Sequence, residues 1–185
     1  MAKIALSIRI KSGSVLNDPV SGAQIDLESS IPWANLADKV FQITFKPYFM
    51  NQEVVLSFCE PDEIQQLNSL YRNINQVTDV LSFNAIGNTS GDLFKFEDLV
   101  DNPNLDPEDS ALGDVIICVE KAKIQAQQQN KPLKDELAML FVHGLLHLLG
   151  YDHETREEAL EMFKLQELVL NHKFEVRESQ FDASF

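Results

Sequence analysis

The chain has 185 residues, 44% of them hydrophobic and 24% charged, with seven glycines and seven prolines. That is enough for one soluble globular domain with a sizeable core and too little for two ordinary ones, and it excludes a disordered chain, a collagen and a coiled coil. Fifteen basic against twenty-nine acidic residues give a formal net charge of −14, so attraction to nucleic acid requires basic side chains gathered locally.

In chain order, Ile4, Leu6, Ile8 and Ile10 alternate with Ala5, Ser7 and Arg9, which predicts a half-buried strand. The same stretch has no continuous hydrophobic region and does not read as a signal peptide. Asn17 to Ser30 reads as turns. Ser30 and Pro32 open a helix running to about Phe45, with Trp33, Leu36, Val40 and Phe41 on its apolar face. A strand follows over Glu53–Cys59. Pro61 then starts a helix whose inner stripe is expected to be Ile64, Leu67, Leu70 and Tyr71. Val77–Phe83 and Asp114–Val119 read as further strands. Between them Asn84–Gly113, rich in Gly, Pro, Asp and Asn, is expected to be a long acidic surface loop. Lys121–Gln129 is a short helix, and Pro132 restarts a longer one through Leu149, with Gly150 suited to the left-handed position that ends it. Thr155 with Glu158 forms a capping box for a last helix to about Leu170, and residues 173–185 make a polar tail. Strands and helices mix without strict alternation. The expected class is therefore α+β, a single domain over residues 1–185 with a small mixed sheet of about four strands packed with helices.

The charge is unevenly spread. Residues 61–110 carry ten acidic and two basic side chains, while residues 111–150 balance at zero with Lys121, Lys123, Lys131 and Lys134. A polyanion surface must draw on those lysines, Arg72, Arg9 and Lys11. Cys59 and Cys118 lie in apolar surroundings without metal-ligand spacing and read as reduced thiols in a cytosolic core. The longest apolar stretch, Leu137–Tyr151, is shorter than the ~20 residues a membrane span needs and contains two histidines.

Those histidines carry the chemistry. His143, His147 and His153 fall within the segment His143-Gly144-Leu145-Leu146-His147-Leu148-Leu149-Gly150-Tyr151-Asp152-His153. Four residues advance a helix by about 400°, so His143 and His147 project from one face, one turn apart. The turn at Gly150 lets His153 swing back as a third ligand. Three protein ligands leave a fourth tetrahedral position for water, the layout of a catalytic zinc site, where the water's pKa falls to ~7. A histidine on a helix is ordinarily a satisfied core or surface residue. Two on a segment this apolar, however, would need other partners. Zinc proteases place a glutamate directly after the first histidine of H-E-x-x-H; here that position is Gly144, so the metal cage is present and the proteolytic base is absent. His172 has no partner in sequence. Asp152 and Asp114 are carboxylate candidates for a general base, each with a plainer role in a turn or at a strand end.

A second cluster, Leu67-Asn68-Ser69-Leu70-Tyr71-Arg72 followed by Thr78-Asp79-Val80-Leu81-Ser82-Phe83, places one arginine at a helix C-terminus before a polar turn and a strand. A surface ion pair and a phosphate contact both suit Arg72.

With LGDVIIC (Leu112–Cys118) and HGLLHLLGYDH (His143–His153), these stretches resemble the YbeY family of bacterial endoribonucleases, the rRNA maturation factors. The resemblance covers the middle and C-terminal half of the chain. It implies a metzincin-like fold, one Zn²⁺ per chain on His143, His147 and His153, and Arg72 as the substrate-facing arginine. It further implies action on single-stranded RNA in maturing the 3′ end of small-subunit rRNA and in ribosome quality control. The small ribosomal subunit and its proteins are then the partners, with no role for DNA or membrane. Asn84 stands where the family usually has proline, and the following loop is longer and more acidic than is typical. Two rival readings are a ribosome-assembly binding protein with a structural metal and a metalloprotease, the latter disfavoured by Gly144.

Overall fold

A computed structural model describes residues 5–10 as backbone, and residues 15–44, 53–85 and 111–171 in full. In chain order the elements are β1 (Ala5–Ile10), β2 (Val15–Asn17), β3 (Gln24–Asp26), α1 (Trp33–Thr44), β4 (Glu53–Cys59), α2 (Pro61–Arg72) and β5 (Val80–Asn84). They continue with β6 (Ala111–Cys118), α3 (Val119–Gln128), α4 (Leu133–Leu148) and α5 (Arg156–Leu170). The α+β class holds: a four-stranded mixed sheet runs β1-β4-β6-β5, with β5 antiparallel at one edge and the other pairings parallel.

Alternation along the central strands divides the side chains between two unequal cores. Val54, Leu56 and Phe58 of β4, with Val115 and Ile117 of β6, join the larger core with α1, α3, α4 and α5. Leu81, Cys59 and Cys118 point the other way, where Ile64 of α2 covers them. Both cysteines are buried and form no disulfide, as expected of core thiols. Trp33 closes the larger core: its ring packs edge-on against Phe141 of α4 at 5.3 Å, and its indole N–H donates to the Leu27 carbonyl at 2.6 Å.

Several expectations are corrected. The stretch read as turns, Asn17–Ser30, contains β3 and the last residue of β2, which pair as a short hairpin. Strand β5 begins at Val80, because residues 77–79 still belong to the turn, and β6 begins at Ala111 rather than Asp114. The predicted loop therefore loses Asn84 at one end and Ala111–Gly113 at the other, and residues 86–110 lie outside the described residues, as do Lys11, His172 and the tail 173–185. Gly113 explains the added pairing. Its φ of 149° and the 2.2 Å that would separate a Cβ from the Phe83 carbonyl oxygen permit only glycine where β5 approaches β6. Leu70 and Tyr71 are 72% and 54% exposed, so they are not the inner stripe of α2; that helix buries Ile64 and Asn68.

The start of α4 is held from afar. Asp18, in the turn after β2, accepts the Leu133 backbone N–H at 2.9 Å with Oδ2 and those of Val20 and Ser21 with Oδ1. It supplies the capping acceptor that Pro132 cannot. Burial alone would raise the Asp18 pKa, but these hydrogen bonds together bring it below the ordinary value. One turn on, fully buried Glu136 pairs with Lys131. Burial is the larger influence on that carboxyl and pushes its pKa up, with Lys131 opposing. Lys123 pairs with Glu120, so two of the four lysines proposed for a polyanion surface have acidic partners.

Candidate metal centre

Helix α4 lies on the sheet through Gly144. A Cβ there would meet Val115 Cγ1 at 2.7 Å and Ser82 Oγ at 2.9 Å, and the Ser82 hydroxyl donates to the Gly144 carbonyl at 3.0 Å. This close seat turns position 144 toward the sheet and leaves His143 and His147 one turn apart on another face. The helix ends in a Schellman motif. Gly150, at φ 81°, donates to the His147 carbonyl at 2.9 Å, and Tyr151 N–H reaches the Leu146 carbonyl at 3.0 Å. The chain reverses there and returns His153. Asp152 Oδ1 fixes the turn by accepting the His153 backbone N–H at 2.8 Å, and lies 3.9 Å from His147 Nδ1.

The three imidazoles come together as the spacing predicts. Ring centroids are 4.6 Å apart for His143–His147, 5.4 Å for His143–His153 and 5.1 Å for His147–His153. One nitrogen from each ring lies within 4.8 Å of the other two. His143 and His147 face each other through their Nε2 atoms at 3.0 Å. Two neutral imidazole nitrogens at that distance need a proton or a cation between them. A proton bridges only two, and the convergence of a third nitrogen matches a metal ion. Burial drives the pKa of His147 down to about 3, with His143, His153 and Arg72 adding to the effect and a hydrogen bond to the Tyr151 backbone opposing it. Burial likewise lowers His143, against a hydrogen bond accepted by the Gln166 carbonyl oxygen. Both rings are therefore neutral at pH 7, the form that ligates metal. His153 is exposed, so the cluster opens to solvent on that side. Among the described residues no fourth histidine, cysteine or carboxylate completes it.

Arg72 ends α2, exposed, and is followed by Asn73 in the left-handed conformation at φ 58°. It makes no ion pair among the described residues, and its charge reaches His147. The surface-pair reading of Arg72 thus has no partner among those residues. Sequence reasoning missed Gln166 of α5, whose Oε1 lies 2.9 Å from His143 Nδ1. Its signal was a polar side chain in the buried stripe Ala159, Met162, Gln166 and Val169.

Residues 22–173 match the family described as Endoribonuclease YbeY, a span that contains Arg72 and all three clustered histidines. Endoribonuclease YbeY of Acholeplasma laidlawii is 39% identical over 132 residues, 71% of this chain and 82% of that one. The protein of the same name from Phytoplasma australiense is 45% identical over 120 residues, 65% and 74% of the two chains. That of Clostridium botulinum is 35% identical over 156 residues, 82% and 94% of the two. The solution structure of TM1509 from Thermotoga maritima overlaps 90% of this chain and 89% of its own, at 23% identity and a TM-score of 0.48. With the family match spanning the described site from α2 to α5, this chain belongs to the YbeY family of endoribonucleases.

Proposed function

We propose that this chain is a zinc-dependent endoribonuclease that cuts single-stranded RNA in the cytoplasm. Its main work is then maturing the 3′ end of small-subunit rRNA and ribosome quality control, with the small subunit and its proteins as partners. The observation that carries this reading is the convergence of three imidazoles on one point open to solvent. His143, His147 and His153 would hold one zinc per chain. Bound there, zinc supplies Lewis acidity toward a phosphoryl oxygen and a nucleophilic water near neutral pH.

The chain's own residues do the rest. Arg72 offers a guanidinium fork to the phosphate and offsets charge as it gathers on the phosphoryl oxygens. Asp152 holds the turn that presents His153. Gly144 leaves neither a glutamate nor the space for one, which argues against peptide hydrolysis. The exposure of His153 and the three-residue ligand set argue against a closed structural metal.

The test is incubation of zinc-loaded protein with end-labelled single-stranded RNA and with its duplex, beside Arg72→Ala. The wild type should cut the single strand. The variant should lose ~10²-fold or more in rate while zinc content and melting temperature stay unchanged. Zinc-loaded wild type that binds the RNA and leaves it whole would favour the binding-protein reading. Arg72→Lys keeps the charge and removes the fork, and full activity in it would show that charge alone suffices.

A further inference from the structure

We infer that Gln166 is a positioning residue for the metal centre: it accepts the Nδ1–H of His143 and so turns the lone pair of Nε2 toward the metal point. The inference rests on the metal reading above and goes beyond it to a residue outside the ligand set.

Gln166 is 2% exposed, and the other buried residues of α5 are Ala159, Met162 and Val169. A carboxamide on such a stripe is costly unless hydrogen-bonded, and its carbonyl oxygen lies 2.9 Å from His143 Nδ1. A neutral imidazole has one N–H and one lone pair. The Gln166 oxygen can only accept, so the proton belongs on Nδ1 and Nε2 is left to donate its lone pair. That Nε2 is the atom 3.0 Å from His147 Nε2, inside the cluster. The opposite tautomer would put a proton at the metal point. A metal-bound histidine commonly has its other nitrogen held in this way, and loss of such a partner weakens the metal site. Here the partner comes from a separate helix, so the packing of α5 on α4 sets the direction of a ligand.

Two readouts independent of catalysis test this. Nitrogen-15 NMR of the zinc-free protein at pH 7.5 should show His143 protonated at Nδ1, and zinc affinity should be measured by competition with a chromophoric chelator. Gln166→Leu should mix the tautomers and weaken zinc binding by about 10–100-fold. Gln166→Glu, whose carboxylate form can only accept, should restore both tautomer and affinity. Should the leucine variant fail to fold, the wild-type tautomer and the glutamate variant decide the matter. A wild-type His143 protonated at Nε2, or a leucine variant that binds zinc as tightly as wild type, overturns the role of Gln166. A wild type that takes up no zinc overturns the metal reading itself.

Discussion

His147 shows how far burial changes one residue. An imidazole ordinarily titrates near 6.5, and here the folded value falls to about 3. Because the folded pKa is depressed, the unfolded chain takes up a proton below pH 6.5 that the folded chain refuses. Stability of the zinc-free protein is thus fully present above pH 6.5 and declines as pH falls toward 3. His143 shifts in the same direction and adds to the slope. One such group contributes at most about 1.4 kcal/mol per pH unit. Urea midpoints of zinc-free protein should fall between pH 6.5 and 5, above the range where ordinary carboxylates protonate. A flat midpoint across that window would show the rings accepting protons in the folded state. The residue scale is also where the sequence was most legible, because the informative geometry is local. Spacing of four on a helix, a glycine after it, and Thr155 with Glu158 each act within a few residues, and the capping box is present in full. Gln166 was hidden because its partner is 23 positions away on another helix.

Among the elements, α4 carries the most constraint. It must bury an apolar surface against the sheet and still present two histidines elsewhere. Gly144 makes both feasible, at the expense of helix propensity, where alanine is better by about 1 kcal/mol. Gly144→Ala sets that gain against contacts of 2.7 Å to Val115 and 2.9 Å to Ser82. Val115 is fully buried and short, so it has little room to yield. The clash should win, destabilising by roughly 1–3 kcal/mol and lowering the melting temperature. An alanine variant melting at or above the wild-type temperature would show that the helix can lift from the sheet. Elements were read less well than residues where tertiary contacts decide. The three-residue strands β2 and β3 lie in a stretch dense with turn formers, and only their pairing distinguishes them from turns. Leu70 and Tyr71 follow the helical period of α2, yet the helix covers only one face of a narrow sheet, so its stripe outruns the surface available. The contact from Asp18 to Leu133 spans 115 positions and left no trace in local pattern.

At the scale of the whole molecule, a charge of −14 must coexist with binding to RNA. Under the proposed role of Arg72, which has no acidic partner among the described residues, a local contact to phosphate would make the two compatible. RNA binding should weaken steeply with added salt, since it depends on displacing counterions from phosphate. A binding constant unchanged between low and moderate salt would point to a protein partner instead. The sheet order has a further consequence for how the molecule is made. Parallel pairing joins β1 to β4 and β4 to β6, the Asp18 cap waits for Leu133, and Met162 and Val169 of α5 complete the larger core. Contacts of such long separation form only after the intervening chain is available. While the chain is being synthesised, its three clustered histidines therefore emerge before α5, whose Gln166 lies 2.9 Å from His143. The surroundings of the histidine cluster are complete only when residues near 170 are free to fold, and a chain cut short before α5 would carry all three histidines without the carboxamide beside His143.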